Sequence, residues 1–223
     1  MSIGWYVGLF VASLMFLVCH LVCSSLNYQK RFSEKYDVRN HFPYEFNFES
    51  SFSLNLFGNI ALIMSCALSI AFFSLTSAKI QTNGYVLYSL ISEIIYSILV
   101  CVIHFIPLKF MKTHTIFGVL LLGASFITPV AVGLGAFSLY QDSNKTYPLV
   151  LFIISITIAV FYFCVAMNPK LTPNIKMIVG KDKDGKEIYI RPKFIVMALS
   201  EWIDIFGLSI SQLLLVLLLI AIL

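Results

Sequence analysis

Asn27 to Ser51 reads NYQKRFSEKYDVRNHFPYEFNFESS, one of only two sizeable hydrophilic interruptions in an otherwise apolar chain. It carries Lys30, Arg31, Lys35 and Arg39, then an aromatic run: Phe42, Tyr44, Phe46, Phe48 and Phe52. Basic residues followed by closely spaced rings suit a segment lying against a lipid headgroup layer on the cytoplasmic side. The run RNHFPYEFN is therefore expected to anchor at that interface or to dock a partner, with Arg39, His41, Phe42, Tyr44 and Phe46 as contact candidates.

Outward from this connector the chain turns apolar on both sides. Hydrophobic residues make up 59% and charged residues 12% of 223, where a soluble domain carries about 25% charge. A water-soluble fold of this size cannot hide that much apolar surface, so the bilayer is the solvent. Six segments are long enough to cross, roughly 3–26, 52–78, 85–107, 115–140, 149–167 and 194–223. The expectation is a single all-α polytopic domain over residues 1–223 with six transmembrane helices.

Lys and Arg counts in the five connectors run 4, 1, 2, 1 and 7, accounting for all 15. The positive-inside rule then places the first, third and fifth in the cytoplasm and both termini outside, in a plasma membrane. Trp5 and Tyr6 fall at the outer interface, as belt aromatics should. No positive residue precedes Lys30, so the first segment reads as a retained span rather than a cleaved signal.

In the fifth connector, Ile175–Val179 and Glu187–Ile190 flank a turn containing Asp184-Gly185, which predicts a small cytoplasmic β-hairpin. Asp182-x-Asp184 lacks the later glycine and glutamate of a calcium loop. Asn144-Lys145-Thr146 is a glycosylation triplet on a very short connector and carries no weight.

Ionisable side chains inside spans are expensive and mark function by default. Glu93, Glu201 and Asp204, with Gln212 as a polar companion, are the candidates for lining an ion path; His20 and His104 also fall within spans. Glu201 and Asp204 stand one helical turn apart and share a face. Such a pair can bind a cation or share a proton; the plainer alternative is that Glu201 reaches Arg191 or Lys193 at the membrane edge.

Cys19 and Cys23 on the first span, with Cys101 and His104 on the third, form a second constellation that would suit zinc or another soft-tolerant metal if the helices meet. All five cysteines lie in apolar stretches, which argues against a disulfide framework. LISEIIYSI (Leu90–Ile98) and ALSEWIDIF (Ala198–Phe206) hint at an inverted repeat of three spans. Gly118, Gly123, Gly133 and Gly135 mark the fourth span as closely packed, and Pro129 as its point of bending.

No Walker loop, nucleophile elbow, zinc-protease motif or dinucleotide fingerprint is present, no nucleophile–base pair is evident, and nothing in the sequence names a cofactor. No basic tract interleaves with aromatics outside the membrane connectors, which excludes nucleic acid as a partner. The reading that follows is a small-solute or ion carrier. Its alternative is a non-catalytic accessory subunit of a larger membrane complex, docked through the first connector and the basic hairpin.

The charge split makes a direct prediction. In a background without native cysteines, a cysteine at Ser33 or Lys183 resists impermeant thiol reagents in intact cells, whereas one at Asn144 reacts. Labelling at Ser33 would overturn the topology.

Overall fold

A computed structural model of the chain describes residues 3–33, 35–47, 52–79, 84–106, 110–143, 145–171, 178–181, 187–190 and 192–222. Its body is all α-helical: α1 (Ile3–Phe32), α2 (Phe52–Lys79), α3 (Gly84–Phe105), α4 (Met111–Ser143), α5 (Thr146–Ala166) and α6 (Val196–Ile222). All six are long and apolar enough to cross a membrane. Lipid offers no hydrogen bonds, so each crossing segment must satisfy its backbone within itself, and a helix does this.

Two helices run further than their apolar stretches. α1 continues through Asn27 and Tyr28 to Phe32 and ends at Ser33, whose left-handed φ of 56° lets its N–H donate to the Gln29 carbonyl at 2.9 Å. α4 begins at Met111 rather than Thr115, which takes His114 out of the connector and into a helix, and it runs on through Pro129. Between α5 and α6, β1 (Ile178–Lys181) and β2 (Glu187–Ile190) lie antiparallel with Val179 opposite Tyr189. The expected turn through Asp184-Gly185 and the stretch 172–177 lie outside the described residues.

Consecutive helices from α1 to α5 pack against one another, and α6 touches all five. In the central window of α6, 61% of residues are buried, against 22% in α1 and α5. Only a narrow stripe of α6 stays exposed, with Phe206, Ile210, Leu213 and Ile220 along it. The last helix is thus the axis of the bundle, and the first five form a wall around it.

The first, third and fifth connectors converge on one end, here called the basic end. The Ile195 N–H donates to the Arg39 carbonyl at 2.8 Å, Trp202 Nε1–H to the His41 carbonyl at 3.0 Å, and Asn47 Nδ2–H to the His104 carbonyl at 2.8 Å. These bonds draw the 3-10 turn Pro43–Asn47 into the bundle. Phe42 and Phe46 are 0% and 2% exposed, so the run expected at a headgroup layer or a partner surface faces inward instead. The cause is the start of α6, where Ile195, Met197 and Ala198 are apolar and need cover; Phe42 and Tyr44 supply it, while Phe46 packs on Trp202 with ring centres 5.5 Å apart.

The small residues of α4 divide in role. A Cβ at Gly133 would meet Ser155 and Ile156 of α5 at 3.2–3.3 Å, so here the backbone does approach its neighbour closely. Gly118 and Gly123 have open space beside them. The tightest glycine is on α6: a Cβ at Gly207 would collide with the hydroxyls of both Tyr162 and Tyr96. Gly207→Ala therefore forces both phenols aside and should destabilise by about 1–3 kcal/mol, the range for overpacking a filled site. Thermal unfolding in detergent measures this, and adding Tyr162→Phe should recover part of the loss.

Candidate functional site

The polar residues of α6 lie along one face from Glu201 to Gln212, a rise of about 16 Å at 1.5 Å per residue. Nearest the basic end, Glu201 Oε1 lies 2.8 Å from His114 Nε2, both groups being buried. His114 Nδ1 lies 2.7 Å from the Ile106 carbonyl, which can only accept, so Nδ1 carries a hydrogen. A neutral ring would then turn a lone pair toward Glu201. A 2.8 Å contact between two acceptors is repulsive, so one proton must sit between them. The pair is either imidazolium with carboxylate or imidazole with carboxylic acid, and its net charge is zero in both forms.

Glu201 Oε2 has no hydrogen-bond partner, nor has Oδ1 of Asp204, one turn deeper and 1% exposed. Both carboxyls border a cavity of about 80 Å³ between α4 and α6, which Thr115, Gly118, Leu122 and Ser200 also line. One water needs about 10–15 Å³, so by volume alone there is room for several. Gly118 keeps its side of the cavity open, since nothing lies within 4 Å of where its Cβ would be. Ser125 of α4 stands beside Asp204.

Beyond the cavity the face changes character. Tyr96 donates its hydroxyl to the Asp204 carbonyl, with Tyr162 against it. Glu93 of α3 is 0% exposed and sits beside Ser211, yet neither of its oxygens has hydrogen-bond geometry to a partner. Gln212 instead spends both N–H groups, on Ser69 and, at 3.3 Å, on Ser13. Ser13, Ser65 and Ser69 are themselves linked at 2.9–3.2 Å, so this level ties α6 onto the seam between α1 and α2. Gln212 is a brace.

The expected metal quartet does not assemble. Cys19 and Cys23 have sulfurs 3.9 Å apart, with Cys19 exposed, while the Cys101 thiol pairs with Cys66 and His104 with His20 and Asn59. Among the described residues no three His, Cys, Asp or Glu side chains group as metal ligands. The reason is rotational: Cys19 lies on the outward side of α1 while His20 faces the bundle. The two Ser-Glu steps are not equivalent either, since Glu93 lies on a wall helix at the level of Ser211 and Glu201 on the axis near the basic end.

Of the docking candidates, Arg39 alone is well exposed, and it grips Asp37 at 2.7–3.1 Å. These hydrogen bonds hold the Asp37 carboxyl at about 2, below its ordinary 3.8. Any stability it lends is present above pH 4 and lost as pH falls toward 2; at the surface, screening keeps it small.

Sequence reasoning missed the group that matters most, His114, because Lys112 beside it made the residue look like connector. Asn59 was also missed, although an asparagine within an apolar span is a signal in its own right. Tyr96 and Tyr162 carry no such signal. Comparison of the chain with protein-family models, with curated proteins and with solved structures finds no match.

The shared proton can be tested by isosteric replacement. Glu201→Gln keeps the shape and presents an N–H to His114 Nε2, so stability is held or raised. Glu201→Ala leaves that nitrogen buried without a partner and should cost about 1–3 kcal/mol more. Paired thermal melts at neutral pH decide it.

Proposed function

We propose that the protein is a small α-helical carrier whose solute is a cation or a small cationic molecule, bound at Glu201 and Asp204 and exchanged against protons. The observation that supports this most directly is the 2.8 Å contact between Glu201 and His114, which calls for a proton between them, at the edge of a cavity that Asp204 also borders. With the Glu201–His114 pair neutral as a unit, the cluster carries no charge or one negative charge, depending on whether Asp204 keeps its proton; a second appears only where a bound cation takes the place of the shared proton. It can therefore trade a proton for a monovalent cation without leaving an uncompensated buried charge, the most expensive outcome inside a membrane. Glu93 is a further protonatable station deeper along α6, and Gln212 braces the bundle beyond it.

The orientation that goes with this reading puts the basic end in the cytoplasm and both termini outside, at the plasma membrane, because alternate connectors hold nearly all the Lys and Arg. The cavity then lies toward the cytoplasmic side. The β1–β2 segment would form a basic hairpin projecting beneath it. An accessory-subunit role loses Phe42, Tyr44 and Phe46 for docking, since they are spent inside the bundle, and keeps the exposed Arg39 together with that hairpin.

Thermal unfolding of wild type and the Glu201→Gln, Asp204→Asn double variant, across pH and a panel of monovalent and divalent cations, tests the carrier. Ligand bound only to the folded state raises the melting point by mass action, about 2.7 kcal/mol at one hundred times Kd. Wild type should show such a rise with at least one cation, and the double variant none. A wild type indifferent to every cation, with a variant that melts higher throughout, would sink this proposal.

A further inference from the structure

The connectors that meet at the basic end leave lysines around the cavity. Lys112 of α4 shares a helix face with Thr115, Val119 and Leu122, which line the cavity. Lys170 adjoins Leu171, another lining residue, in a turn that Asn168 holds. There the Lys170 N–H donates to Asn168 Oδ1 at 3.0 Å and the Leu171 N–H to the Asn168 carbonyl at 2.9 Å. Lys193 stands just ahead of Met197, also lining, in the lead-in to α6 that the Ile195–Arg39 bond fixes. All three lysines are exposed. Three separate elements thus set positive charge on the basic-end rim of one cavity. Among the described residues of the bundle, Asp37 is the one acid at this end that is not buried, and Arg39 already holds it.

Each lysine also has an exposed apolar neighbour: Ile116 one turn along α4 from Lys112, Met167 just before Lys170, and Phe194 next to Lys193. An ammonium beside exposed carbon belongs at the boundary between headgroups and acyl chains. At that depth the anion within reach is a lipid phosphate, and an acidic protein would first have to displace lipid. Lysine binds phosphate as a point charge whose reach is set by screening, about 8–10 Å, so the three need not converge on one atom. We propose that Lys112, Lys170 and Lys193 seat the headgroup of an anionic phospholipid on the rim of the cavity, with its chains running down α4 past Ile116 and Val119. The carrier gains a condition from this. Three fixed positive charges repel a cation bound for Glu201 and Asp204, and a seated phosphate offsets them. That consequence rests on the carrier reading; lipid binding does not.

The probe is phosphatidylglycerol against phosphatidylcholine with the same two chains, added to full-length protein in detergent and read by native mass spectrometry. Each lysine at an anionic headgroup contributes about fivefold, so wild type should favour phosphatidylglycerol by about a hundredfold. Lys112→Gln, Lys170→Gln and Lys193→Gln together should erase that preference. Lys30→Gln, Arg31→Gln and Lys35→Gln, which remove as much charge at the same end, should keep it. Equal retention of the two lipids, a variant of the rim lysines that keeps the preference, or the same loss in both variants overturns the proposal. So does displacement of the lipid by millimolar inorganic phosphate, which would make the ligand a free anion. If the rim variant does not fold, a photoactivatable phosphatidylglycerol decides on wild type. Its crosslinks should map to α4 from Lys112 and to the start of α6; crosslinks confined to other elements overturn the site. Neither assay contains a cation solute, so the lipid site and the carrier can fail separately.

Discussion

A carboxyl group cannot face lipid, and that constraint shapes this bundle. Glu201 and Asp204 stand on the helix with the greatest burial, and five others enclose it. Hydrophobicity alone would not choose α6 for the axis, because α5 is also strongly apolar and remains on the wall. The difference is polar content. A helix carrying Glu201, Asp204, Ser211 and Gln212 along one face must find donors and acceptors for all of them within protein, and only a central position offers several neighbours at once.

The same constraint accounts for the first connector. If the wall simply stopped at the basic end, Trp202 and the carboxyls beside it would meet the headgroup layer. Instead the 36–47 stretch folds under them, held through backbone bonds at Arg39 and His41 and through the Asn47–Asn59–His104 ring of hydrogen bonds. Tyr36, Phe46 and Trp202 stack in edge and tilted contacts of 4.1–5.8 Å. The plug is aromatic because broad, stiff side chains cover much area at little entropic cost.

This also shows what the sequence could and could not reveal. Six crossings were legible because length and apolarity suffice for them, and α6 stood out because it alone held two carboxylates and a glutamine. The inward turn of RNHFPYEFN was not legible, since a ring that suits a headgroup layer suits a packed plug equally well; only the apolar start of α6, adjacent in space and remote in sequence, decides between them. His114 was hidden by the basic residue next to it, and the Tyr96–Gly207–Tyr162 contact by the distance along the chain between its members. The cysteine spacing suggested one quartet, but helix rotation splits it into pairs that the spacing cannot foresee.

Three levels along α6 differ in how far their polar groups are satisfied, and the difference separates bracing from chemistry. At Gln212 both donors are used by serines of α1 and α2, and the one group left over is a neutral acceptor, Oε1, buried without a partner. At Glu201 one oxygen is tied to His114 and the other is buried without a partner, in a residue that borders the cavity. Glu93 is the extreme, with both oxygens unbonded beside Ser211. An ionised carboxylate there would have no hydrogen-bond partner to offset its burial. Buried acids that must be neutral to remain where they are can ionise only when water or a cation reaches them. For Glu93 that condition makes its charge depend on what can reach it, a dependence that the proposed carrier would use.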